Sequence, residues 1–111
     1  MKVAVIGSRT LNVDLDDYIP EDTTEIVSGG AKGIDLCAKE YALKQGKKYT
    51  EFLPLYNKYG KAAPIKRNDE IIEYADIILA FWDGKSRGTK YVIDRCIKLN
   101  KAIKVIKMQK T

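Results

Sequence analysis

Residues 76–89 read Asp76-Ile77-Ile78-Leu79-Ala80-Phe81-Trp82-Asp83-Gly84-Lys85-Ser86-Arg87-Gly88-Thr89. Every position from Ile77 to Trp82 is apolar, which is not the alternating pattern of a strand with one wet face. It predicts a strand covered on both faces, as in the middle of a parallel sheet. A loop of glycine and hydroxyl residues follows, and then Val92, Ile93, Cys96 and Ile97 recur at helical spacing up to about Asn100. A covered strand feeding a helix through such a loop is half of a βαβ unit.

The same order repeats outward from this stretch. Lys2–Ile6 runs into Gly7-Ser8-Arg9, Thr24–Val27 runs into Ser28-Gly29-Gly30, Tyr49–Leu53 is closed by Pro54, and Ala102–Ile106 comes last. All four read as strands. From Ala31 to Gln45 the residues Ile34, Cys37, Ala38, Tyr41 and Ala42 mark one helical face, with Gly46 as the stop. A shorter helix is expected over about Pro64–Tyr74, proline suiting its first position. Tyr56–Ala63 reads as an aromatic and glycine loop, and Asn12–Asp22, with five acidic residues, as a short helix bounded by Pro20.

This alternation predicts an α/β fold, a single Rossmann-like three-layer domain over residues 1–111. Its five-stranded parallel sheet has the order 3-2-1-4-5 with right-handed crossovers. In that order the loops after strands one and four flank the topological switch point, where open α/β sheets take ligands.

The chain has 111 residues, enough for one domain, and 45% hydrophobic against 32% charged residues is a globular balance. Ile77–Trp82 is the longest apolar run, far short of the roughly 20 residues of a membrane span or the roughly 7–15 of a signal-peptide core. The expectation is a cytoplasmic protein with no membrane partner. The net charge of +5 hides a gradient: residues 1–84 carry 11 basic and 14 acidic side chains, residues 85–111 nine and one. A basic end fits an anionic partner such as nucleic acid or a nucleotide. It also fits a solvated helix face, since Lys90, Asp94, Lys98 and Lys101 stand about a turn apart.

There is no histidine, which excludes serine–histidine and cysteine–histidine nucleophilic chemistry and histidine-bound zinc. Cys37 and Cys96 form no C-x-x-C pair, so no metal site is supported; both fall on apolar helix faces as small buried hydrophobes.

Three strand-to-helix turns rich in glycine or hydroxyl residues would emerge at one edge of the sheet. Gly29-Gly30-Ala31-Lys32-Gly33 allows close approach of backbone amides and leads into a helix N-terminus, an environment for an anion. Arg9 can offer a planar fork to phosphate or carboxylate, or pair with the acidic segment. Asp35, in the first helical turn, suits the helix dipole and equally a ribose-binding or loop-orienting role. The dinucleotide fingerprint G-x-G-x-x-G and the Walker motif are both absent.

Gly7-Ser8-Arg9, Ser28-Gly29-Gly30-Ala31-Lys32-Gly33-Ile34-Asp35, Tyr59-Gly60-Lys61-Ala62-Ala63 with Arg67-Asn68, and Ser86-Arg87-Gly88-Thr89 together resemble the SLOG superfamily. More closely they resemble its small YspA/YpsA-related branch. The resemblance implies a Rossmann-like fold, a nucleotide or nucleotide-derived ligand and self-association without a fixed subunit number. Lys32, Ile34, Tyr56 and Pro64 depart from the branch's usual residues. In the related LOG enzymes, which cleave an N-glycosidic bond, a catalytic glutamate follows the glycine–threonine pair; here that position is Val92, which cannot perform acid–base chemistry. If the chain is an enzyme, Asp35 or Asp83 must substitute, and no catalytic residue is assigned.

The expected ligand site is therefore Gly7, Ser8, Arg9, Gly29, Gly30, Gly33, Asp35, Arg67, Asn68, Gly84, Ser86, Gly88 and Thr89. The amides of Gly29, Gly30 and Gly33 and the Ser86–Thr89 loop would hold phosphates, Arg9 would neutralise them, and Arg67 or Asn68 would close over the ligand. Ordering of the Tyr56–Ala63 loop would report occupancy. A nucleotide-processing hydrolase and a nucleic-acid binder of the kind related to DprA are the alternatives, the latter needing Tyr49, Tyr56, Tyr59 or Trp82 as stacking platforms.

Overall fold

The computed structural model describes residues 1–109; Lys110, the last charge of the basic end, lies outside the described residues. Five parallel strands form one sheet in the order β3-β2-β1-β4-β5: β1 (Lys2–Gly7), β2 (Glu25–Ser28), β3 (Lys48–Glu51), β4 (Ile77–Trp82) and β5 (Ile103–Lys107). Class, parallel pairing and strand order are those expected. The wholly apolar strand β4 lies between β1 and β5, with Val5 opposite Leu79 and Ala80 opposite Val105.

Helices cover both faces, and the pleat divides the core between them. Ala4 and Ile6 of β1, with Ile78 and Ala80 of β4, face Ile71 and Ile72 of α3 (Ala63–Tyr74) and Val92, Ile93 and Cys96 of α4 (Arg87–Leu99). Val3 and Val5, with Leu79 and Phe81, face Ile34, Ala38 and Ala42 of α1 (Ile34–Lys44) and also Leu11 and Leu15. Alternate residues of one strand thus enter opposite cores, as a strand buried on both sides requires.

Three expectations about local structure are corrected. Residues 12–22 form turns instead of a helix. The Asp14 carboxylate takes the Asp16 amide at 3.0 Å, an Asx turn that competes with helical bonding, while Leu11 and Leu15 drop into the core. Tyr18 packs edge-on against Phe81, with ring centroids 5.1 Å apart, and closes that side of the sheet. The segment read as an aromatic loop is helical: α2 (Tyr56–Tyr59) runs through a 3₁₀ turn (Gly60–Ala62) into α3. Helix α1 begins at Ile34 instead of Ala31, because the five preceding residues form the loop described below.

At the basic end, α4 stops at Leu99 with Asn100 in the left-handed conformation, φ 56°. Lys101 therefore stands off the helix, and the face shared by Lys90 and Asp94 is an exposed i,i+4 ion pair of 3.0 Å. Cys96 is buried as expected; Cys37 is only partly covered and its thiol donates to Asn12 Oδ1 at 3.1 Å.

Candidate functional site

A cavity of about 450 Å³ opens at the carboxyl edge of the sheet, where β1 and β4 send their chains to opposite faces. This volume lies in the range of small-molecule sites. Gly7, Ser8 and Arg9 from the loop after β1 border it, with Gly29 and Asp35 beyond β2, Arg67 and Asn68 of α3, and Ser86, Gly88 and Thr89 at the start of α4. Ten of the thirteen expected residues thus meet in one space, and Ile6, Ile71 and Val92 give it an apolar floor.

Gly30, Gly33 and Gly84 do not border it, and each has a backbone reason to be glycine. All three have positive φ: 74°, 71° and 84°. At Gly33 a Cβ would stand 2.5 Å from the Arg9 carbonyl oxygen and 2.7 Å from that of Ser8, so this glycine lets the loop after β2 close on the loop after β1.

The 29–33 loop is not the open anion cradle its glycines suggest. The Ala31 N–H is donated to Asp35 Oδ2 at 3.1 Å and the Gly30 N–H to Ser28 Oγ at 3.4 Å. A side-chain carboxylate of the protein itself occupies that cradle. Burial pushes the Asp35 carboxyl above the ordinary carboxylate range, opposed by the Ala31 amide, Arg67, the Gly29 amide and Arg9.

A second carboxylate serves the loop after β4. Asp83 accepts from the amides of Lys85 and Ser86, both at 2.8 Å, and from the Thr10 hydroxyl at 3.2 Å. Those two amides, with the Ser8 hydroxyl, hold its pKa down to about 2. Ser8 Oγ in turn accepts the Asp83 N–H at 3.2 Å, which ties together the two loops at the switch point. Ser86 caps α4 by accepting from Thr89 N–H, and its carbonyl receives Trp82 Nε1–H at 3.0 Å. Gly88 and Thr89 therefore belong to the first helical turn. The N–H groups of Arg87 and Gly88 find no acceptor among the described residues, so the positive end of α4 presents uncommitted amides here, as do Arg9 and Thr10 in the loop after β1.

The cations divide likewise into free and committed. Arg9 is exposed and forms no ion pair among the described residues; the acidic segment does not engage it. Arg67 is pinned. It donates to the carbonyls of Gly29 (2.8 Å) and Phe52 (3.4 Å), and its Nε donates to Asn68 Oδ1 at 2.8 Å. Burial lowers the pKa of its guanidinium. Arg67 and Asn68 are thus fixed on a helix as part of the wall, in place of the closing elements expected.

The sequence reading left out Thr10, Ala31, Pro64 and Lys85, which also border the cavity. Lys85 was legible as a cation between two glycines of the β4 loop. Pro64 was read only as a helix start. None of Tyr49, Tyr56, Tyr59 and Trp82 borders the cavity: Tyr49 is bonded to Ser28 and Glu51, and Trp82 to Ser86. Comparison with family models, curated proteins and solved structures gives no match to the chain.

Proposed function

We propose that the chain binds a nucleotide or nucleotide-derived ligand at the carboxyl edge of its sheet and acts as a binding module or sensor. One observation carries the reading: an arginine without an internal partner, the uncommitted first-turn amides of α4 and a buried polar wall converge on one cavity at the switch point. The ligand's phosphate would lie against the Arg87 and Gly88 amides with Arg9 across from it, which combines a helix N-terminus with a charge-assisted fork. The apolar floor of Ile71 and Val92 suits the flat face of a base. Helix α2 and the 3₁₀ turn are already formed, so a sensing role would not work by ordering residues 56–62.

The test is a thermal-shift panel of mononucleotides, dinucleotides, ADP-ribose and cyclic nucleotides against the unaltered chain and Arg9→Ala. A ligand at about 100 times its Kd adds roughly 2.7 kcal/mol, several degrees in a domain of this size. A shift abolished by Arg9→Ala supports the reading, and the absence of any shift at millimolar ligand refutes it. Turnover is the second reading, favoured by Asp35, a buried carboxyl on the cavity wall whose pKa burial raises. Chromatography of the recovered ligand separates the two, intact ligand meaning a binder and cleaved ligand a hydrolase.

A further inference from the structure

The cavity wall contains one buried acceptor that the fold leaves unsatisfied. Asp35 is 6% exposed. Its Oδ2 receives the Ala31 N–H, while Oδ1 is covered and meets no donor in hydrogen-bonding geometry. A carboxylate offers about four lone-pair sites, and a buried one short of partners carries a desolvation cost until a donor arrives. Arg67 donates through Nε and Nη1 to Asn68, Gly29 and Phe52 and makes no ion pair with Asp35 among the described residues.

The chemistry of the missing donor follows from its surroundings. A second phosphate beside a desolvated carboxylate would add like charge, whereas a neutral hydroxyl supplies the absent hydrogen bond at no electrostatic cost. Asp35 lines the cavity, and its terminal torsion is the broad, two-fold one of a carboxylate, so the group can turn to meet a donor that enters there. With phosphate at the Arg9 end and the base on the apolar floor, the group left to meet Asp35 is the sugar between them. We infer that Asp35 accepts a hydroxyl of the ligand's sugar, so that the site selects a phosphorylated sugar with its hydroxyls intact, a ribonucleotide over its deoxy counterpart. This rests on the nucleotide reading for the position of the phosphate.

Calorimetric titration of the full chain with adenosine 5′-monophosphate, its 2′-deoxy and 3′-deoxy analogues, inosine 5′-monophosphate and ribose 5-phosphate tests it. One of the two deoxy analogues is expected to bind about 10- to 100-fold more weakly, the effect of losing a hydrogen bond to a charged acceptor, while inosine monophosphate keeps its affinity. Asp35→Asn retains an oxygen for the Ala31 amide but replaces the charged acceptor with a neutral amide, so its preference for the ribo ligand is expected to shrink. If that variant does not fold, the ligand series on the unaltered chain decides alone. Equal affinity for all three adenosine ligands, or a loss confined to inosine monophosphate, overturns the hydroxyl contact and leaves the nucleotide reading standing. Failure of every compound to bind overturns both. Binding of ribose 5-phosphate with exclusion of adenosine monophosphate removes the nucleotide, and 2-deoxyribose 5-phosphate then decides the hydroxyl contact, weaker binding supporting it and equal binding overturning it.

Discussion

Replacing Gly88 with alanine separates the stability of this fold from its use. Gly88 is the second residue of α4 and has ordinary helical torsions, and a Cβ built on it meets no atom within 4 Å. Glycine in a helix costs about 0.5–1 kcal/mol relative to alanine, through the extra freedom of the unfolded chain. Gly88→Ala is therefore expected to stabilise the protein by up to that amount, a rise of about 2–5 °C in Tm. Gly88 is exposed at the border of the cavity, and the methyl would stand beside the two uncommitted amides of the helix N-terminus. A phosphate resting on those amides would be pushed away, with an expected loss of at least about tenfold in affinity, or about 1.4 kcal/mol. Calorimetric unfolding and titration on the same preparations read both effects. A raised Tm with undiminished nucleotide affinity would show that the α4 terminus is not where the phosphate lies, and a lowered Tm would refute the helix argument.

Three other substitutions probe the remaining walls. Gly7→Ala would place a methyl 2.5 Å from the Phe81 carbonyl oxygen and 2.7 Å from Ile34 Cγ1, between a strand backbone and a helix that cannot yield. Chemical denaturation should show a loss of about 1–3 kcal/mol or more, and a neutral result would mean that β1 and α1 are less closely seated than described. Arg9→Ala removes an exposed, unpaired side chain, so its denaturation midpoint should match that of the unaltered chain while nucleotide affinity falls tenfold or more; a stability change would reveal a structural partner. Asp83 is depressed from 3.8 to about 2 in the folded state, so its stabilisation is complete above the ordinary value and is lost as pH falls from there toward 2. Asp83→Asn should flatten that part of the acid unfolding profile, and an unaltered profile would disprove the role of the loop carboxylate.

The fold was legible because its signals are local and repeated. Six consecutive apolar residues in β4, glycine at the strand ends and helical spacing in α1 and α4 each state one element, and the alternation fixes class and strand order. The misread segments are those where a side chain overrides the pattern. Asp14 diverts residues 12–22 from helix, and Tyr56–Ala62, with a glycine and two tyrosines, looks like a loop yet winds as helical turns ahead of Pro64. Arg67 was recognised as a site residue, but its attachment to the Gly29 and Phe52 carbonyls joins residues 38 and 15 positions apart, which no local reading contains.

The glycine loops carry the deeper lesson. Glycine and helix starts advertise free amides, and counting them predicted three anion cradles. Two are filled from within, by Asp35 after β2 and by Asp83 after β4, each an acidic residue two to four positions from the amides it takes. The two carboxylates do the same structural job under different solvation. Asp83, bonded by two amides near solvent, is shifted down, while Asp35, sealed in with a single well-formed amide bond, is shifted up. The first is a finished cap, and the second still lacks a partner. An acceptor that the fold buries and leaves short favours, on the proposed reading, a ligand that brings a donor to this wall of the cavity. On that reading the positive end of the site is at Arg9 and α4 and its hydrogen-bond-accepting end at Asp35, a polarity that a phosphate ester of a hydroxylated sugar would meet and inorganic phosphate alone would not.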